Sequence, residues 1–349
     1  MDGARFGEER QRLLERLFPG GIPTLWCPPL THFDDGGGLD RARMRAHLAT
    51  LRPWVRGFLV PGSTGEGWEL SPGEIRELLA LAVDELGAGG AHLLVGVLAP
   101  DAAAVVRTVS ETVEWLRART GCASAGEALA RAGVRGFTVC PPTGADLGQD
   151  RIRGALEEVL ALGHPVALYQ LPQVTRNELA PGTATALAAR FPNFFLLKDS
   201  SGADRLAESG FRDVFLVRGA EGGYARHLRG GGGRYDGLLL STANCFARPL
   251  AEIVDLVGRG ARAAAEAISA RLEDAAAAVF AAAAGVGHGN PFTNANKAMD
   301  HVLAHGPDAA GVPPPRLHSG VRLPAALIAA ARAALDRAGL TPARGYLGG

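Results

Sequence analysis

Eight short apolar runs recur along this chain, at residues 21–27, 55–61, 92–98, 136–140, 165–171, 194–198, 214–218 and 237–241. Most are followed by a polar turn and a stretch of helical period. This alternation constrains the fold more than any other feature. Strands separated by helix-length segments run parallel, and eight such units match a closed barrel better than an open sheet. The expected fold class is α/β, a (β/α)8 TIM barrel with a C-terminal helical extension. Local signals agree: Ser71, Pro72 and Glu74 supply a helix N-cap, a proline at the first helical position and the acidic partner of a capping box. Asp101 opens another helix after Pro100.

The character changes after the eighth run. From residue 249 the chain is alanine-rich and helical, with candidate helices over 261–284, 294–304 and 323–338. The expected organisation is an N-terminal helical segment at 1–20, a catalytic barrel at 21–248 and a C-terminal helical domain at 249–349. Residues 119–133 read as an inserted loop with a short helix, and the glycines at 230–233 as a flexible loop before the last strand.

Bulk properties exclude several functions. Formal net charge is zero and no dense basic stripe appears, so nucleic acid and anionic membranes are not expected partners. Hydrophobic residues make up 47%, yet no uninterrupted apolar stretch of about 18 residues is present to span a bilayer. The first 18 residues are charged and lack the apolar centre of a signal peptide, which predicts a cytoplasmic protein. Cys27, Cys122, Cys140 and Cys245 are too scattered for a disulfide framework or a zinc site, and the histidines and carboxylates show no metal spacing. His288 reads as a loop residue. No cofactor or metal is expected.

Of 36 basic side chains, 34 are arginine; the lysines are Lys198 and Lys297. Where arginine has replaced lysine almost everywhere, a surviving lysine is a candidate for chemistry that a permanently charged guanidinium cannot perform. An ε-amine can lose its proton and attack a carbonyl. Lys198 closes the apolar run Phe194-Phe195-Leu196-Leu197, so a parallel strand would deliver it to the mouth of a barrel, where active sites of this fold lie. Tyr169 ends the neighbouring run and offers a phenol for proton transfer. The glycine-flanked turn at 62–67 lacks the spacing and lysine of a nucleotide loop. It suits a carboxylate held by backbone N–H groups and the hydroxyls of Ser63 and Thr64, with Glu66 as a brace.

Between about residues 21 and 324 the chain resembles the dihydrodipicolinate synthase and N-acetylneuraminate lyase superfamily of Schiff-base enzymes. The resemblance rests on GSTGE at 62–66 followed by LSPGE at 70–74, LYQLP at 168–172, LKDSSG at 197–202 and STAN at 241–244, in that order. It implies a cofactor-independent lyase or aldolase acting on a 2-oxo acid of the pyruvate type. Lys198 would form the imine, Tyr169 would shuttle protons and Ser63 would relay them. Thr64, Gly62, Gly219, Glu221, Leu240 and Ser241 are the expected substrate-binding residues. The expected partner is a small-molecule 2-oxo acid, and the expected assembly a homotetramer or homodimer.

The departures are informative. The arginine that the synthases carry five residues beyond the shuttling tyrosine is Val174 here, with Arg176 two residues farther on. Their tyrosine pair after strand four is Pro142 and Thr143. Both changes point away from lysine biosynthesis. A dehydratase acting on a 3-deoxy-2-oxo sugar acid and a non-catalytic 2-oxo acid binder are the alternatives; Thr143, Asp146, Gln149, Gln173, Arg176, Glu221 and Asn244 would supply polar groups to a hydroxylated substrate. Lys297, in an Asn-Pro…Lys segment, is expected to make a structural ion pair.

Overall fold

The computed structural model describes residues 7–348. Eight parallel strands close in sequence order into one barrel: β1 (Leu25–Cys27), β2 (Gly57–Val60), β3 (His92–Val97), β4 (Val134–Val139), β5 (Val166–Gln170), β6 (Phe194–Asp199), β7 (Phe215–Arg218) and β8 (Gly237–Leu239). Helix α1 (Glu8–Leu17) precedes them. Around the barrel run α2 (Arg41–Leu51), α3 (Pro72–Leu86), α4 (Ala102–Thr120), α5 (Ala125–Arg131), α6 (Gln149–Leu160), α7 (Pro172–Thr175), α8 (Pro181–Arg190) and α9 (Arg205–Glu208). The last four, α10 (Ala243–Gly258), α11 (Arg262–Ala284), α12 (Pro291–His305) and α13 (Ala325–Arg337), form the C-terminal helical layer.

All eight apolar runs become strands, with ends trimmed or moved for local reasons. The first run loses its front because Gly21 takes φ +88° and Pro23 has no N–H to give a ladder. The sixth gains Asp199, whose buried carboxylate accepts the Ser201 N–H at 2.9 Å and so continues the strand's bonding into the loop. The capping box of α3 forms as its sequence predicts, Ser71 Oγ accepting from Glu74 N at 3.3 Å and Glu74 Oε2 from Ser71 N at 2.8 Å. Asp101 caps α4 through Ala104 N at 2.8 Å.

The 230–233 glycines lie in the loop before the last strand, and close packing accounts for three of them: a Cβ on Gly230 would lie 2.8 Å from Val257 Cγ1, one on Gly231 2.2 Å from the Ala225 carbonyl oxygen, and one on Gly233 2.1 Å from that of His227, while Gly232 takes φ +94°. This tight coil, with a single 3-10 turn at Arg229–Gly231, joins β7 to β8 where the other units use helices.

The core has two parts. Outward-facing strand residues pack against the helices, while Trp26, Leu59, Leu94, Ala167, Leu196 and Val217 fill the barrel. Leu14 and Phe18 of the N-terminal segment close the barrel's lower end. Arg10 fixes that plug: its guanidinium donates to the carbonyls of Phe194 (2.7 Å), Asp213 (3.0 Å), Phe191 (3.1 Å) and Ala188. With one end sealed by apolar packing, solvent and ligands reach the barrel from the carboxyl ends of the strands.

Candidate active site

Strand alternation puts Leu196 and Lys198 on the barrel's inner face, as it does Ala167 and Tyr169 on the next strand. The β5–β6 register pairs Tyr169 directly with Lys198. The amine therefore lies over the phenol ring, Nζ 4.0 Å from its centroid, with both residues buried. They border a cavity of about 150 Å³ whose wall also includes Ser63, Thr64, Gly219, Glu221 and Ser241.

The turn opposite the amine is held from several sides. Ser63–Gly65 forms a 3-10 turn, so its first N–H groups have no partner within the turn and remain available to an anion. Thr31 Oγ1 donates to the Gly65 carbonyl at 2.7 Å, and Thr293 Oγ1, from α12, to that of Thr64 at 3.1 Å. A side chain at Gly65 would meet the Pro29 carbonyl oxygen at 2.5 Å, which accounts for the glycine. Trp68 Nε1 donates to Ser63 Oγ at 2.9 Å. That bond leaves the serine's own proton free to be donated elsewhere.

Glu66 and Glu221 are both bracing residues. Glu66, at φ +59°, pairs with Lys297 and accepts the His318 N–H at 2.8 Å. Lys297 is fully buried and also donates to the Arg316 carbonyl at 2.8 Å; burial lowers its pKa, while the Glu66 carboxylate opposes that shift. The Glu221 carboxylate accepts from Ser241 Oγ (2.6 Å), Thr242 N (3.1 Å), Thr242 Oγ1 (2.6 Å) and Tyr224 OH (3.1 Å). Burial, followed by the charge of Glu221, pushes the Tyr224 phenol well above its ordinary range.

Two expected binding residues lie elsewhere. Leu240 follows the inward Leu239 and so points out of the barrel into the helix-facing core. Gly62 backs the turn, where a Cβ would strike Pro28 Cβ at 2.6 Å, and does not border the cavity. Of the polar residues expected at the distal end, Gln173 and Glu221 border it; Thr143, Asp146, Gln149, Arg176 and Asn244 do not. Gln149 Oε1 instead accepts from Ala180 N at 2.9 Å, and Asn244 ties the Pro28 and Ser241 carbonyls to Leu30 N and His47. The lining residues not anticipated are Leu171, Ser200, Ser201, Gly202, Ala220, Asn290 and Phe292. Three of these follow Lys198 closely in the LKDSSG run; Asn290 and Phe292 arrive from the C-terminal layer with no local signal.

Cys140 lies beneath the site, and burial pushes its thiol up to about 12 against the opposing charge of Lys198, so it stays protonated. One buried group has metal-like geometry among the described residues: His32, His47 and Asp300, with ligand atoms within 4.8 Å of one another. Its chemistry does not suit a cation. Arg43 Nη2 lies 2.5 Å from Asp300 Oδ2 and Tyr346 OH donates to Oδ1 at 2.8 Å. Burial alone would raise the Asp300 pKa, but Arg43 and His47 hold it well below the usual carboxylate range. The carboxylate's charge is already matched by a guanidinium.

The family model for the dihydrodipicolinate synthetase family matches residues 23–288. The chain belongs to this family. A 4-hydroxy-tetrahydrodipicolinate synthase of Xylella fastidiosa is 30% identical over 254 residues, covering 70% of this chain and 76% of the relative. A probable 5-dehydro-4-deoxyglucarate dehydratase of Pseudarthrobacter chlorophenolicus is 30% identical over 176 residues, about half of each chain (50% and 51%). Among solved structures, YagE from E. coli K12 in complex with pyruvate superposes with a TM-score of 0.70 at 19% identity, covering 91% of this chain and 99% of YagE. At that identity the superposition speaks for the barrel and its helical layer. Family membership and these relatives, a synthase and a probable dehydratase, support a lyase-type enzymatic role for the chain. Among the described residues no helix is long and apolar enough to cross a membrane.

Proposed function

We propose that this family member makes or breaks a C–C bond next to a pyruvate-type 2-oxo acid through an imine on Lys198. The observation that carries the proposal is the stacking of Lys198 Nζ over Tyr169 in a cavity that also exposes the Ser63–Thr64 turn. The neutral amine attacks C2, the carbinolamine loses water, and the protonated imine then accepts the electron pair released at C3 when the bond to the distal carbon breaks. In this reading Tyr169 moves the protons of carbinolamine formation and cleavage, and Ser63 passes them on. The free N–H groups of the turn hold the carboxylate at C1.

A second reading has support from the relatives named as probable dehydratases. The same imine would then lose a proton from C3, and the enamine so formed would expel hydroxide from C4, where cleavage would instead release an aldehyde; product analysis separates the two. The test of the common step is borohydride reduction in the presence of pyruvate. Hydride adds to the imine carbon, and peptide mass spectrometry should place the resulting secondary amine on Lys198. Lys198→Arg, which keeps the charge and loses the nucleophile, should give no adduct. A folded wild-type protein that no 2-oxo acid labels would sink the Schiff-base reading; labelling without turnover would favour a binding protein.

A further inference from the structure

The cavity around Lys198 also constrains the far end of its substrate. Among the described residues lining it, Lys198 and Glu221 are the charged ones. The lysine is consumed by the imine, whose positive charge faces the C1 carboxylate. Glu221 is negative, is held by its four donors and repels a second anion.

The neighbouring arginines face away. Arg176 stands in the left-handed conformation (φ +62°) at the end of α7, exposed and off the cavity wall. Arg218 is buried and bound to the carbonyls of Ala220 and Gly222 and to Asp204. Each of the distal amides, which are uncharged, has one atom committed. Gln173 Nε2 donates to the Ser200 carbonyl at 3.0 Å, and Asn290 Oδ1 caps α12 through Phe292 N at 2.8 Å. The rest of this part of the wall is Leu171, Val174, Gly202, Ala220 and Phe292, together with the unpartnered but uncharged hydroxyls of Ser200 and Ser201.

Resting on the imine reading above, we infer that the part of the substrate beyond C3 is uncharged and mainly apolar. A tail ending in a second carboxylate or a phosphate is selected against. Such a group would lose hydration here and gain no counter-cation.

The test compares two 2-oxo acids of equal length: 2-oxoglutarate, and 5-methyl-2-oxohexanoate, in which an isopropyl group replaces the distal carboxylate. Each is titrated in the borohydride assay, with pyruvate as reference. The isopropyl acid should reach half-maximal labelling of Lys198 at a concentration lower by about tenfold or more, the factor expected for one desolvated, unpaired charge. Val174→Arg, which places a cation on the apolar wall, should shift the ratio between the two acids toward 2-oxoglutarate by a similar factor. If pyruvate labels Lys198 while 2-oxoglutarate labels as readily as its isopropyl counterpart, or neither long acid labels at all, the inference falls and the imine reading stands. Failure of pyruvate itself to label would remove both.

Discussion

Replacing Lys297 with methionine tests whether the active-site turn depends on a buried ion pair. Methionine keeps most of the apolar stem, so packing against Phe33, whose ring centroid lies 4.8 Å from Nζ, is largely retained. The ammonium is lost, together with its bond to the Arg316 carbonyl. Glu66 is then a buried carboxylate whose remaining donor is the His318 N–H. Breaking one side of a buried pair costs about 3–5 kcal/mol, because the surviving charge has no counter-ion. With an m-value of about 3 kcal/mol/M, the urea midpoint should fall by about 1–1.7 M, read by circular dichroism at neutral pH. Glu66 directly follows the turn that carries Ser63 and Thr64, so the pyruvate concentration for half-maximal labelling should rise as well. In the double variant Glu66→Gln, Lys297→Met the uncompensated charge is gone while the His318 N–H keeps an acceptor, and much of the lost stability should return. A single-variant shift below about 0.3 M, or a double variant no better than the single, would refute the reasoning.

Arg218→Lys keeps the charge but loses the planar fork that holds the Ala220 and Gly222 carbonyls and Asp204, so it should cost about 3 kcal/mol and raise the pyruvate requirement. Unchanged labelling in a destabilised protein would show that the fork supports the fold and not the cavity wall. Stability should also fall with acid at the barrel's lower end. Burial, then the charges of Arg135 and Arg56, lowers His92 to about 4, and its Nδ1 accepts from Arg135 Nε at 2.9 Å. The unfolded chain binds that proton near pH 6.5, so stability present above this value is lost as pH falls toward 4, by up to about 3 kcal/mol. His92→Gln should flatten urea midpoints across that window relative to wild type; parallel slopes would show that other groups dominate.

What could be read in advance follows from the range of the forces involved. Strand runs, the α3 capping box and the Asp101 cap are set by neighbours within a few residues, and each appears where its pattern lies. Lys198 and Tyr169 were legible for the same reason, because a parallel strand's end fixes which face and which mouth a residue occupies. The inward and outward parity of β8 was not: Leu239 and Leu240 are chemically alike, and only the closed barrel decides which of them faces in. Polar residues misled most. Gln149 and Asn244 suit a hydroxylated ligand equally well, yet each binds backbone groups from chain-distant segments, and sequence carries no sign of where an amide will point. Asn290 and Phe292 reach the cavity because α12 packs on the Ser63–Gly65 turn, a contact across more than two hundred residues.

The unequal use of the two basic side chains now has a structural basis. The buried arginines each serve several acceptors at once: Arg10 joins four carbonyls at the barrel's sealed end, and Arg218 joins a loop to Asp204. A rigid fork with five donors suits these positions, where a single ammonium would leave carbonyls unsatisfied. The two lysines stand where a fork has no use. Lys297 meets one carboxylate oxygen and one carbonyl in a space closed by an aromatic face. Lys198 makes its closest described contact with a phenol ring, beside a cavity rather than a set of acceptors. An amine that follows an apolar run and is kept clear of fixed acceptors is free to bond to something that enters. That is the strongest physical argument for reading it as a nucleophile.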